Sequence, residues 1–191
     1  MKRSETLLGS LLQSSNATKE EVEAAYKVNN RIDSFEGKYE FLSNFYESPF
    51  EWQGIHYPTS EHAFQAAKVI NPATRMKIAA APTPGQAKRM GRQVELRADW
   101  EAVKEDIMYE IVKTKFANSI YLTLALLATG DKELIEGTTW HDNEWGNCTC
   151  AKCVSIPGKN KLGKILMRVR EELKEELSKE IKPNEENIRS I

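Results

Sequence analysis

No stretch of this chain approaches the roughly 20 apolar residues that a membrane-spanning helix requires. The longest apolar run, residues 122–128, is broken by Thr123 and suits a buried helix instead. Lys2 and Arg3 stand near the start, but Leu7, Leu8 and Gly9 make too short an apolar core for a secretory leader. An excess of one charge is missing as well: 27 basic residues against 28 acidic ones leave a net −1. That balance gives no global pull toward nucleic acid or an anionic membrane, although a local basic patch stays open. Cysteine is scarce. The three present are confined to positions 148–153, which is no disulfide framework. A reducing, cytoplasmic compartment and no membrane partner are therefore expected. Also absent are a Walker loop, G-x-G-x-x-G, H-E-x-x-H and G-x-S-x-G. Nucleotide hydrolases, Rossmann enzymes, zincins and esterases of the familiar kinds lose support accordingly. There is no internal repeat and no low-complexity tract.

What is present describes one globular domain with appendages: 191 residues, 40% hydrophobic and 29% charged. The reading expected is α+β, mainly α, in three parts. Residues 1–32 form an N-terminal helical extension, 33–174 the main domain, and 175–191 a charged tail. In the extension, Thr18-Lys19-Glu20-Glu21 is a capping pattern that starts a helix through Val28. Residues 35–57 are rich in aromatics, and short strands are expected at 38–42, 50–52 and 55–57, the last two joined by a Gln53-Gly54 turn. Helices follow. One starts at Thr59 or Ser60. A second has Thr83 as N-cap, Pro84 at its first position and Gly91 at its end. A third follows Asp99 as its N-cap, with Val103, Ile107 and Ile111 as its apolar stripe. A fourth covers 119–128 and stops at Gly130. The last starts near Lys161 and buries Leu162, Ile165, Leu166, Val169 and Leu173. Pro183 is expected to stop it. Residues 137–160 have no period, and a loop of that length inside a compact domain is usually functional.

Several residues in these segments could carry chemistry. Glu61, Gln65 and Lys68 are spaced i, i+4, i+7 and share one helix face. Glu61 could act as an acid, a base or a hydroxyl ligand. Lys68 could bind phosphate or, if desolvated, act as an amine nucleophile. The plainer alternative is a solvated face. In the loop, Asp142 stands near Trp145 and Gly146, an acid beside an indole that could stack on a base, with a glycine that lets a ligand approach. The alternative there is a turn cap and a core anchor. Cys148, Cys150 and Cys153 invite a zinc reading with His141, but the spacing is off the usual patterns, and reduced thiols are preferred. Lys88, Arg89 and Arg92 form one basic group, and Lys159, Lys161 and Lys164 another near a helix start. Each could hold an anion or simply face water.

The order of motifs, 41-FLSNFYESPF-50, 57-YPTSEHAFQAAK-68, 91-GR-92, 134-LIEGTTWHDNEWG-146 and 158-GKNKLGKILMRVRE-171, resembles the NADAR superfamily, also called YbiA-like. The likeness covers residues 35–173. It implies a mainly helical α+β fold with a small hairpin or sheet and hydrolysis of N-glycosidic bonds, without a cofactor. One branch of the family acts on ribosylamino-pyrimidine phosphates of the riboflavin pathway. Another removes ADP-ribose from guanine in nucleic acid. By motif position the resemblance implicates Asn44, Glu61, Lys68, Arg92, Glu136, Asp142, Trp145 and Asn160. Residues 148–157 depart from shorter members, which are glycine-rich there, so the pocket rim is open to variation. Breaking a ribosyl–nitrogen bond needs a proton for the leaving nitrogen and stabilisation of a sugar cation. Glu61 and Asp142 are the natural pair, in either assignment. A second route opens the ribosylamine to an imine and passes it to Lys68 as a Schiff base. A small ribosyl phosphate, an ADP-ribosylated nucleic acid, or an ADP-ribose ligand read without catalysis are the partners to be told apart.

Overall fold

The computed structural model describes residues 30–188, together with Thr18 and Glu20. The helix expected through Val28 lies outside the described residues. The elements follow in the order β1 (Arg31–Ile32), a 3₁₀ turn (Gly37–Leu42), β2 (Phe50–Trp52), β3 (Ile55–Tyr57), α1 (Ser60–Ala66), α2 (Pro72–Ala79), α3 (Pro84–Gly91), α4 (Trp100–Ala117), α5 (Ile120–Leu127), β4 (Glu133–Leu134), β5 (Gly137–Thr138), β6 (Asn147–Cys148) and α6 (Lys161–Ile188). No helix among the described residues is long and apolar enough to cross a membrane.

The helices start where side-chain caps are available. Thr59, Thr83 and Ser119 each accept a backbone N–H from the first turn of the helix that follows. Helix α4 is the spine. Ile107, Met108, Ile111, Val112 and Phe116 are buried along it, and α1, α5 and α6 all pack against it. From α6 come Leu162, Leu166, Val169 and Leu173, an i, i+4, i+7, i+11 stripe. The core is therefore helical, and the strands are small fittings on it. β2 and β3 form an antiparallel hairpin with Phe50 opposite Tyr57 and Trp52 opposite Ile55. Its two turn residues, Gln53 and Gly54, have φ of 51° and 73°, as a two-residue turn with the sheet's own twist demands. β1 pairs with β4 and β5 with β6, both in parallel. Arg31 and Ile32 were read as part of the extension, yet Ile32 is buried and paired with Leu134.

Four local expectations change. Residues 38–42 are a 3₁₀ turn and not a strand. Leu42 alone is buried there, and the Phe41 carbonyl goes to the Lys115 amine at 2.7 Å and not to a neighbouring strand. Helix α2 has no apolar stripe long enough to reveal it, with only Ile78 and Ala79 buried. Its start is nonetheless written in Asn71, which caps Thr74 N–H at 3.0 Å, and in Pro72. Asp99 occupies the N-cap position of α4 but gives both its oxygens to Arg97, at 2.6 and 2.9 Å. Finally, α6 runs through Pro183 to Ile188. One lost N–H is tolerated where the flanking residues are strong helix formers such as glutamate and lysine.

Candidate active site

Helix α1 is buried along its whole length, including Glu61 and Gln65. It is locked at its start. His62 meets the Thr59 hydroxyl at 2.8 Å and the Ala81 carbonyl at 3.0 Å, so it serves the frame. The Glu61 N–H donates to the Asn44 carbonyl at 2.9 Å, which ties the 43–45 segment to the first turn. Gln65 donates to Glu61 Oε1 at 2.8 Å. Gly91 of α3 crosses directly above. A Cβ there would lie 2.0 Å from Gln65 Oε1, so the close crossing depends on glycine. Lys68 sits just past the helix end, and its amine donates to the Gly91 carbonyl at 3.2 Å.

A cleft of about 730 Å³ opens on this face, a size that suits a small-molecule ligand. Glu61, Gln65 and Lys68 form its floor. Arg92 and Lys88, four residues apart on and just past α3, form a cationic side. Asn44 and Phe45 stand opposite, with the Asn44 amide against Met108 Sδ at 3.4 Å. Lys115 fixes that segment from below by donating to the carbonyls of Phe41 and Ser43 at 2.7 and 2.9 Å. The last wall comes from Glu136, Trp140, Asp142 and Trp145. Trp145 meets Phe64 edge-on at 5.1 Å, and Phe64 in turn packs on Trp100 at 5.1 Å. Asp142 Oδ1 accepts the N–H groups of Glu144 and Trp145 at 3.1 and 2.9 Å, so the acid shapes its own turn and also faces the cleft.

Two implicated residues stand behind the cleft, not in it. Asn160 is buried. Its amide oxygen accepts the Glu136 N–H at 3.1 Å and its NH₂ donates to the Leu134 carbonyl at 2.8 Å. It therefore holds the Glu136 backbone and does not itself line the cleft. Gly146 lets two backbones pass, since a Cβ there would lie 2.5 Å from the Glu136 carbonyl. Lys159 and Lys161 are both paired with Glu144, Lys159 at 2.6 Å, and Lys161 also lies 6.0 Å from the Trp145 ring. Their amines are engaged by that carboxylate, and neither lines the cleft. Lys88, read in the sequence only as one of a basic group, and Trp140 join the site. The i, i+4 spacing of Lys88 and Arg92 was the available signal for the first. Trp140 carried none beyond its loop. His141, Cys148, Cys150 and Cys153 come together outside the cleft lining.

The electrostatics follow from packing acids and bases into one half-dry space. Burial raises the Glu61 carboxyl above its ordinary value, opposed by Lys88 and the Gln65 hydrogen bond. Burial, with the Asp142 and Glu61 carboxylates adding to it, pushes Glu136 up to about 7. Burial lowers the Lys68 amine; Glu61 opposes that shift, while Arg92 and Lys88 reinforce it. Two glutamates are thus inclined toward the acid form and one lysine toward the free amine. That is the inventory for moving protons and for nucleophilic attack near neutral pH.

The sequence profile of the NADAR domain matches residues 32–174. The N-glycosidase YbiA of Escherichia coli (strain K12) is 40% identical over 134 residues, covering 69% of this chain and 80% of that protein. An N-glycosidase of Nostoc punctiforme is 39% identical over 145 residues, covering 73% and 89%. The riboflavin biosynthesis protein VVA0006 of Vibrio vulnificus is 39% identical over 137 residues, covering 71% of this chain and 36% of that protein. Among solved structures, the NMR structure of E. coli YbiA superposes with a TM-score of 0.66 at 38% identity, covering 77% of this chain and 87% of that one.

Proposed function

Since the chain belongs to the NADAR domain family, we propose that its cleft hydrolyses a ribosyl–nitrogen bond, making the protein an N-glycosidase. The observation that carries this reading is the meeting of Glu61, Glu136, Asp142 and Lys68 in one cleft, with both glutamates shifted toward the acid and the lysine toward the amine. The substrate we propose is a ribosylamino-pyrimidine phosphate. The Vibrio relative named for riboflavin biosynthesis supports that class. So does the paired Lys88 and Arg92, a fit for one phosphate.

The roles follow from the environments. Glu136 supplies a proton to the departing nitrogen, because its carboxyl exchanges protons near neutrality. Asp142 faces the ribosyl cation that develops as the bond breaks. Trp145 and Trp140 bound the space for the base. A ribosylamine also has a second, separate route that does not pass through this cation, in which the sugar ring opens to an imine. The free amine of Lys68 adds to that carbon and the pyrimidine amine leaves with a proton. Water then hydrolyses the lysine imine, releasing ribose phosphate and restoring the amine. Glu61, held against Gln65 and near Lys68, takes and returns the proton.

The test offers the purified protein three compounds: a ribosylaminouracil phosphate, an oligonucleotide carrying ADP-ribosylated guanine, and NAD. Products are read by mass spectrometry. Ribose phosphate and free pyrimidine amine are expected from the first. ADP-ribose from the oligonucleotide would move the substrate to nucleic acid. Binding without turnover of any compound would make the protein a reader. Glu61→Gln and Lys68→Ala are each expected to abolish release while the fold is kept. Borohydride is expected to trap a sugar on Lys68 in the native chain alone. Full activity in both variants would refute the mechanism.

A further inference from the structure

Outside the cleft lining, four soft donors from one short segment converge. Nδ1 of His141 lies 3.2 Å from Cys150 Sγ and 3.3 Å from Cys153 Sγ, and the His141 N–H points at Cys148 Sγ at 3.3 Å. All four ligand atoms lie within 4.8 Å of one another. A tetrahedral zinc with sulfur at about 2.3 Å and nitrogen at about 2.05 Å sets its ligand atoms roughly 3.6–3.8 Å apart. We infer that His141, Cys148, Cys150 and Cys153 form a structural Cys₃His zinc site. This inference does not rest on the proposed reaction.

The backbone is arranged for it. Cys150 and Cys153 are a C-x₂-C unit, and the Cys153 N–H closes a turn on the Cys150 carbonyl at 2.9 Å. That half of the pattern was in the sequence. The other half was not, because His141 and Cys148 have no standard spacing. The fold supplies it by pairing Thr138 with Cys148 across β5 and β6, which folds the intervening loop back on itself. His141 itself has φ of 64°, a conformation a non-glycine residue adopts at some cost, and there its ring reaches the sulfurs. The segment also needs a staple. Val154 and Ile156 are exposed, and so is Trp140. Two buried cysteines, Cys148 and Cys153, are the apolar groups this stretch puts inside. A closed site with four protein ligands leaves no position for substrate. Its effect on the cleft is positional: Trp140 and Asp142, the two neighbours of His141 in the chain, both line it.

The test uses the full chain purified from zinc-supplemented cells and dialysed against weak chelator. About one zinc per chain is expected by elemental analysis, and the cobalt-exchanged protein is expected to give thiolate-to-metal absorption and the visible bands of a tetrahedral site. Cys150→Ser and Cys153→Ser should each lower retained zinc at least tenfold, and His141→Ala should weaken retention in chelator competition. Glu61→Gln should keep the metal in full, which separates this site from the chemistry. Retained zinc below about a tenth of an equivalent in native protein would overturn the site. So would zinc unaffected by the cysteine variants, or cobalt protein without thiolate absorption. Because the native chain is read directly, a variant that fails to fold leaves the decision to the cobalt spectrum.

Discussion

Glu136 is a cleft residue whose surroundings act on it strongly, and stability as well as activity should register that. An ordinary glutamate near 4.5 becomes one near 7 because burial and two neighbouring carboxylates oppose its charge. A carboxyl raised in the folded state favours folding most below its unfolded value, and that advantage is lost as pH rises through the folded one. Glu136→Gln should therefore be more stable than the native chain at pH 8, by about 2 kcal/mol, with the gap closing toward pH 4.5. Denaturant unfolding at the two pH values reads this directly, and equal stability at both would count against the buried acid. Turnover in the same variant should fall by about 100-fold or more. Much of the site at this scale was legible. Glu61 and Lys68 announced themselves by helical spacing, and Asp142 and Trp145 by their place in an aperiodic loop. The placement of Asn160 was not legible, because an asparagine that holds another residue's backbone looks in sequence like one that lines a cleft. What decides it is the distance to Glu136 N–H, a contact across 24 positions.

Among the elements, the crossing of α1 and α3 sets the cleft floor. Gly91→Ala would drive a methyl to 2.0 Å from Gln65 Oε1 and 2.8 Å from its Cβ. A side-chain tip can swing away, but a Cβ cannot, so the helices must part. We expect a loss of about 1–3 kcal/mol in unfolding free energy. We also expect a fall in kcat, as Gln65 loses its hold on Glu61, with circular dichroism unchanged. An unaltered kcat would mean that Gln65 holds nothing that matters. The caps at Thr59, Thr83 and Ser119 made these helices readable in advance, since capping is local chemistry. The 3₁₀ turn at Gly37–Leu42 and helix α2 were misjudged for the opposite reason. The turn is held by Lys115, far along the chain, and α2 buries only Ile78 and Ala79, too thin a pattern to show a helix.

For the molecule as a whole, near-neutrality is repeated inside the cleft. Four acids, Glu36, Glu61, Glu136 and Asp142, line it against three bases, Lys68, Lys88 and Arg92. Small-substrate turnover should therefore change by no more than about threefold between low and high salt, whereas a nucleic-acid substrate would lose binding steeply. A KM series in sodium chloride distinguishes the two. The acids also come from separate parts of the chain, one at the start of the 3₁₀ turn, one on α1, one between β4 and β5 and one in the loop before β6. Gathering acids in that way suits the cleft to a positive charge at its centre, and the sugar supplies one only for the instant in which its bond breaks. A stable mimic of that instant, such as an iminoribitol with a protonated ring nitrogen, should seat far more tightly than ribose itself. Its hold should strengthen as pH climbs through 7 and Glu136 surrenders its proton. The crowding that weakens the resting fold thus doubles as a blueprint for an inhibitor.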